Sequence, residues 1–426
     1  MPGMVNSHTH SPFGPHFNGV IKSQHFEPFI VDINSRALQP ETPAQAKAFA
    51  LYTGWENLAA GNTAVIDQCY VPLQPEYLYA VAGAFETLGL RAWIFTELAD
   101  LPMSFYIKEA YPQFQHALPV AELPEGLQAL CESTEDCRDQ LHALDGLIRE
   151  WRGGRVNIGV GISNPVWCTD RLLEGAAELA RSLDVPLQFH AAESPIQRQV
   201  HLEQWGMSAV QRAHRKGLLG PRTLLAHAVQ VDGADITLMA AAGCSISHNP
   251  VSNLKLRNGL APIGRMQAAG LNISLGSDGH SSGDSQSLFP AMKLVAALAE
   301  MNGIAELGGD VEDLVWQMAV ENGRRLWFQG DLSQDRIEFE SPIGPVAHVW
   351  DDPGVKIREV HIDGRPRLAA ARKIIQEQGA DEIVRRAMKQ LTAPKTASRA
   401  RELASWTEAQ TQPWRSSGRP TRIGGN

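Results

Sequence analysis

Short apolar and β-branched runs recur along the first three-quarters of the chain, several of them ending in a histidine or a carboxylate. They cover 4–10, 62–70, 91–98, 157–163, 186–192, 223–229, 245–249 and 272–278. Between them lie stretches of helical periodicity. In 171–183 the residues Leu172, Leu173, Ala176, Leu179, Ala180 and Leu183 form one stripe, and 285–301 reads the same way. Eight strands alternating with helices predict an α/β chain closed as a (β/α)8 TIM barrel, where chemistry gathers at the C-terminal strand ends. Two connections, 11–45 and 99–140, are rich in Pro, aromatic residues and His. Their length predicts pocket walls or lids rather than simple links.

After residue 330 the rhythm changes. Asp335–Glu340, Ala347–Trp350 and Arg358–Ile362 predict short strands separated by Pro and Gly, residues 379–410 predict charged helix, and the last fifteen predict disorder. The expected organisation is a barrel over 1–330, the remnant of a small β-sandwich over 331–368, and a helical, partly disordered tail over 369–426.

The 426 residues, 43% hydrophobic, suffice for a large core. A net charge of -9 argues against a nucleic-acid partner, because phosphate contacts need clustered basic residues. The basic residues from Arg372 to Arg422 read as a solvated helix and tail. Five cysteines without a CxxC pair suit a reduced compartment, and no signal peptide or long apolar run is present. The expectation is a cytoplasmic protein with a small-molecule partner and no membrane or nucleic-acid partner; homo-oligomerisation stays open.

His8 and His10 are two residues apart in the first run, so their side chains share one face of a strand and can grip one metal ion. Phe-His-Ala-Ala-Glu at 189–193, His227, Ser-His-Asn-Pro at 247–250 and Gly-Ser-Asp-Gly at 276–279 close later runs in the same manner. Together they suggest a metal site assembled from several strand ends. Three neutral imidazoles and a carboxylate suit Zn²⁺ or Fe²⁺, with water in the remaining position.

These motifs, with Pro-Gly-Met-Val-Asn-Ser-His-Thr-His at 2–10, His-Ala-Val-Gln-Val-Asp at 227–232 and Ser-His-Asn-Pro-Val-Ser-Asn-Leu-Lys-Leu at 247–256, resemble the amidohydrolase superfamily. The branch is that of nucleobase, adenosyl and triazine deaminases and chlorohydrolases. The resemblance implies that His8, His10, His190 and Asp278 are the metal ligands, Glu193 the proton shuttle and His227 the residue that orients the attacking water. Asp278 would also take that water's proton. Binuclear members bridge two metals with a lysine on strand 4, and 156–163 holds none, so one divalent metal per chain is expected, Zn²⁺ ahead of Fe²⁺. Glu193 follows His190 by an odd offset, which requires the chain to turn just after His190 if both are to face one pocket. His248 is open between contacting substrate and shaping the strand-7 loop with Pro250 and Asn253. Trp167 and Tyr70 are open between stacking a flat ring and packing the rim. His16, His25, His116, His201, His214, His348 and His361 read as structural.

The implied activity is that of a mononuclear metal-dependent hydrolase of C–N bonds other than peptide bonds, deaminating a small nitrogen-rich heterocycle by metal-hydroxide attack. Hydrolysis of an amide, urea or carbamate, displacement of chloride from a triazine, and a non-enzymatic scaffold are the rivals. Relatives carry further residues ahead of the first His-x-His that complete the sandwich, whereas this chain starts two residues ahead of Gly3. Apolar edges at Ile337, Val349 and Val360 are therefore expected to stand exposed, or to be covered by dimerisation or an upstream extension.

Overall fold

A computed structural model describes residues 1–11, 14–34, 40–102, 136–151, 154–328, 330–340 and 356–392. Eight parallel strands follow one another around a barrel in chain order: β1 Met4–Thr9, β2 Asn62–Cys69, β3 Arg91–Thr96, β4 Val156–Ile162, β5 Leu187–Ala191, β6 Thr223–His227, β7 Ser245–His248 and β8 Asn272–Leu275. The apolar runs locate them within a few residues at each end. β8 returns to β1, where the Ser7 hydroxyl donates to the Leu275 carbonyl at 2.7 Å and the Asp278 amide to the His8 carbonyl at 2.9 Å. The strands are buried on both faces, as the near-continuous apolar runs require when helices cover a parallel sheet.

The helix Asp170–Leu183 buries Leu172, Leu173, Ala176 and Ala180 of its predicted stripe, with Ala177 beside them, while Leu179 and Leu183 are half-buried. Thr169 caps its start by accepting from the Leu172 amide. The helix predicted over 285–301 is shorter, Phe289–Ala297, because Pro290 sits in its first turn and the residues before it form loop. The connection 11–45 is not structureless: it holds a 3-10 turn, Pro15–Phe17, and the helix Phe26–Asn34. Phe17, Ile21, Phe26, Phe29 and Ile33 form a second apolar cluster with Val166, Trp167, Ile196, Val200 and Leu256. Most of 99–140 lies outside the described residues.

Past the barrel, β9 Arg336–Phe339, β10 Ile357–Ile362 and β11 Arg365–Pro366 make a separate antiparallel sheet of order β11-β10-β9. The expected exposed edges are not found, since Ile337 and Val360 are buried. The physical reason is local: Met1 exchanges two backbone hydrogen bonds with Ile337, Pro2 bridges Arg336, and Ile337 packs over Gly61 beside Met4 and Ile357. The chain's first residues thus supply an edge partner, and the barrel floor supplies the covering. Val349 and the strand expected at 347–350 lie outside the described residues, as do 393–426, which include the expected disordered end. The predicted charged helix is seen as Ala380–Thr392, preceded by Leu368–Glu377. No described helix is long and apolar enough to cross a membrane.

Candidate metal centre

At the C-terminal mouth of the barrel the strand ends converge. His8 comes from β1, His10 from just beyond it, His190 from β5, His227 from β6, and Asp278 from the loop after β8. The ring nitrogens of His8, His10 and His190 lie within 4.8 Å of one another, as do the ligand atoms of His8, His227 and Asp278. Asp278 Oδ1 is 3.4 Å from His10 Nε2 and 3.7 Å from His8 Nε2. Every one of these side chains is buried.

The turns that bring them together are unusual for residues with a Cβ. Ala192, His227, Ala228 and Asp278 all adopt left-handed backbone, at φ 48°, 72°, 46° and 62°. Each such residue costs about 1–3 kcal/mol and persists only where the surroundings enforce it. The turn at Ala192 is the one that the offset between His190 and Glu193 demanded, and it swings Glu193 back to the mouth. Gly276 is needed for close approach, because a Cβ there would meet Asn249 Oδ1 at 2.3 Å and His8 Cβ at 2.8 Å.

The donor set fits a cation. His10 Nδ1 lies 2.7 Å from the Gln68 carbonyl and His190 Nδ1 2.5 Å from the Ser163 carbonyl. A carbonyl can only accept, so both Nδ1 atoms carry a proton, which in the neutral ring leaves the lone pair on Nε2, the form that binds a metal. Those two Nε2 atoms face each other at 3.2 Å, an arrangement that repels unless positive charge lies between them. His8 Nε2 is buried with no hydrogen-bond partner. Its Nδ1 lies 3.0 Å from the Gln188 amide, a group that serves either imidazole tautomer by rotation. A divalent ion would satisfy all three nitrogens.

Electrostatics divide the two pocket carboxyls. Glu193 is pushed well above the usual carboxylate range, first by burial and then by the charges of Asp278 and Glu27. For Asp278 burial acts upward, but His227, His8, His10 and the Ser252 hydroxyl outweigh it and hold the group ionised. His227 is lowered to about 4, chiefly by burial, and is neutral. Its Nδ1 lies 2.9 Å from Asn253 Oδ1, while its Nε2 looks toward Glu193 Oε1 at 3.8 Å and Asp278 Oδ2 at 3.9 Å. Asn258 Nδ2 donates to Glu193 Oε1 at 3.2 Å and fixes that carboxyl.

The other candidates are placed differently. His248 ends β7 buried, lowered to about 3 by burial and by His227, with neither ring nitrogen hydrogen-bonded among the described residues. Trp167 lies in the apolar cluster with Phe17, Phe26 and Phe29, and Tyr70 packs against that cluster. Both rings thus pack with the residues of the 11–45 connection. Sequence reasoning missed Glu97, Gln68, Gln188 and Asn258, which surround the cluster; Glu97, a lone carboxylate directly after an apolar run, carried the same strand-end signal as Asp278.

Residues 1–325 match the model of the Amidohydrolase family. The 5'-deoxyadenosine deaminase of Methanothermobacter thermautotrophicus is 27% identical over 410 residues, covering 92% of this chain and 87% of that protein. The 5-methylthioadenosine/S-adenosylhomocysteine deaminase of Thermococcus onnurineus is 28% identical over 324 residues, 76% of this chain and 68% of its own length. Among solved structures, a zinc-bound adenosine deaminase from Xanthomonas campestris superposes with a TM-score of 0.70 at 21% identity, covering 90% of this chain and 85% of that one. The zinc complex of an atrazine chlorohydrolase from Arthrobacter aurescens gives 0.71 at 20% identity, covering 90% and 88%. With a family model spanning most of its length, the chain belongs to the Amidohydrolase family.

Proposed function

We propose that this protein is a metal-dependent hydrolase that removes an amino group from a small nitrogen-rich heterocycle, using one divalent ion held by His8, His10, His190 and Asp278. Zn²⁺ is favoured over Fe²⁺ by the zinc in the neighbouring structures. The observation that carries the reading is the placement of Asp278 and Glu193 on either side of His227, with Asp278 shifted toward its ionised form and Glu193 toward its protonated form. Two buried carboxyls pushed in opposite directions are what separate acid and base roles require.

A divalent ion bound there supplies Lewis-acid activation of a water molecule near neutral pH. Glu193, kept protonated by burial and steered by Asn258, donates its proton to a ring nitrogen beside the amino-bearing carbon. That protonation makes the carbon electrophilic. His227, with Nδ1–H directed at Asn253, offers the Nε2 lone pair to a water hydrogen and so orients the nucleophile. Asp278 Oδ2, the nearest ionised oxygen, accepts the proton that the water gives up. The C–N bond then breaks as the proton held by Asp278 passes to the amino group, which leaves as ammonia, while the hydroxyl proton returns to Glu193 and leaves C=O. The net change is C–NH₂ plus water to C=O plus ammonia. The curated relatives are deaminases of adenosyl compounds, and a guanine deaminase from C. acetobutylicum with bound guanine shares the fold, which supports an amino-heterocycle as substrate.

The test is release of ammonia, amine and chloride across aminopurines, aminopyrimidines, pterins, triazines, carbamates and phenylureas, with elemental analysis of the same preparation. Ammonia from an amino-heterocycle and about one metal per chain are expected. Chloride release without ammonia, or activity confined to acyclic amides, would overturn the deaminase reading.

A further inference from the structure

Glu97 follows β3 directly, and its side chain is only 8% exposed. The residue after it is tied to the end of β4: the Leu98 amide donates to the Gly161 carbonyl at 3.2 Å, and the Ser163 amide to the Leu98 carbonyl at 2.9 Å. Gly161 allows that contact, since a Cβ there would lie 1.8 Å from the Thr96 carbonyl. Glu97 is thus held on rigid elements rather than on a free loop.

Its two oxygens meet different neighbours. Oε2 accepts from the Ser163 hydroxyl at 3.1 Å, and the same serine's carbonyl faces His190 Nδ1. Oε1 lies 3.1 Å from His10 Nδ1. That nitrogen has one hydrogen and already has the Gln68 carbonyl at 2.7 Å, which by itself fixes the tautomer. A carboxylate is not needed to orient the ring, and burying one without a cation costs several kcal/mol. Among the described residues no lysine or arginine forms an ion pair with Glu97. His10 stands between two buried carboxylates, Glu97 on its Nδ1 side and Asp278 on its Nε2 side. With the histidines neutral, as metal ligation requires, these two acids sum to two negative charges, matching one divalent ion.

We propose that Glu97 is a positioning residue of the metal centre, supplying through the His10 imidazole the second negative charge that a bound divalent ion requires. Ser163 couples it to His190, so one hydroxyl-and-carbonyl pair steadies two ligands. The inference rests on the metal-dependent reading above but concerns a residue outside the proposed ligand set.

The experiment measures Zn²⁺ affinity by chelator competition, together with the visible bands of the Co²⁺-substituted protein, for wild type, Glu97→Gln, Glu97→Ala and Ser163→Ala. Removing such a partner of a metal-bound histidine typically weakens binding about 10–100-fold. Glu97→Ala is expected in that range, Glu97→Gln about tenfold, since it keeps the shape and loses only the charge, and Ser163→Ala less. Shifted Co²⁺ bands in Glu97→Gln with an unchanged circular dichroism spectrum would mark an altered ligand field in a folded protein. Affinity within twofold of wild type and unchanged Co²⁺ bands in both Glu97 variants would overturn the proposal while leaving the metal reading intact. A wild type with no measurable divalent-metal binding would overturn both.

Discussion

Two carboxyls a few ångströms from one imidazole behave oppositely here, and the difference lies in what faces each. Asp278 meets the edges of three histidines, whereas Glu193 meets Asn258, the like charge of Asp278 and apolar burial. Substitution should separate them. Asp278→Ala and His190→Ala are expected to abolish turnover and lower metal content by elemental analysis. Glu193→Gln should retain the metal and lose about two to four orders of magnitude in turnover, the usual worth of a positioned proton donor. Near-normal turnover in Glu193→Gln would remove the proton-transfer role from that residue. Asn258→Ala leaves Glu193 without its fixed donor, and a drop in turnover with unchanged metal content is the expected readout.

At the scale of elements, the strand ends hold the chemistry and the helices hold the strand ends. The helix Pro195–Trp205 starts directly after Glu193, and its capping box, Ser194 with Gln197, pins the turn from which Glu193 projects. The same helix buries His201 completely, tilted against the Trp205 ring beside Arg212, and burial lowers it to about 3. The unfolded chain takes up the proton near 6.5, so the native state loses stability as pH falls from about 6.5 toward 3. By pH 5 this one residue should account for about 2 kcal/mol, at 1.36 kcal/mol per unit. Denaturant unfolding of wild type and His201→Phe at pH 7 and pH 5 checks it. The difference between the two proteins should shift by that amount in favour of the variant at the lower pH, and a constant difference would show that His201 is not the source.

Across the whole molecule, the small sheet is tied to the barrel floor by charge as well as by apolar packing. Arg91, at the start of β3, pairs with Asp335 through Nε at 2.6 Å and also reaches Asp363, which in turn binds Arg155 at the start of β4. Arg91 and Asp335 are buried, and removing one partner of a buried pair strands the other charge. Arg91→Met is therefore expected to cost about 3–5 kcal/mol in denaturant unfolding. Ile337→Ala, which opens a cavity over Gly61, should cost about 2–5 kcal/mol. A loss below 1 kcal/mol in both would mean that the sheet contributes little to holding the barrel closed.

Much of this was legible in the chain because barrel chemistry is written at strand ends. A histidine or carboxylate closing an apolar run can be read with period-two and period-3.6 rules alone, and His8, His10, His190, His227 and Asp278 all stand in that position. The alternation of runs likewise determined the barrel, since a parallel strand buried on both faces must be almost wholly apolar. What needed the tertiary structure was everything set by contacts between distant segments. Ile337 and Val360 look like orphaned edges in sequence, and only the packing of β9 against Met1, Met4 and Gly61 buries them. Trp167 and Tyr70 read equally well as stackers or wall, and only the fold shows that both pack with the aromatic cluster of the 11–45 connection. Glu97 carries a strand-end signal in sequence, but its partners show only when β4 and β1 are in place and bring Ser163 and His10 to it. Local side-chain pattern carries the first kind of information, whereas charge balance depends on which strands become neighbours.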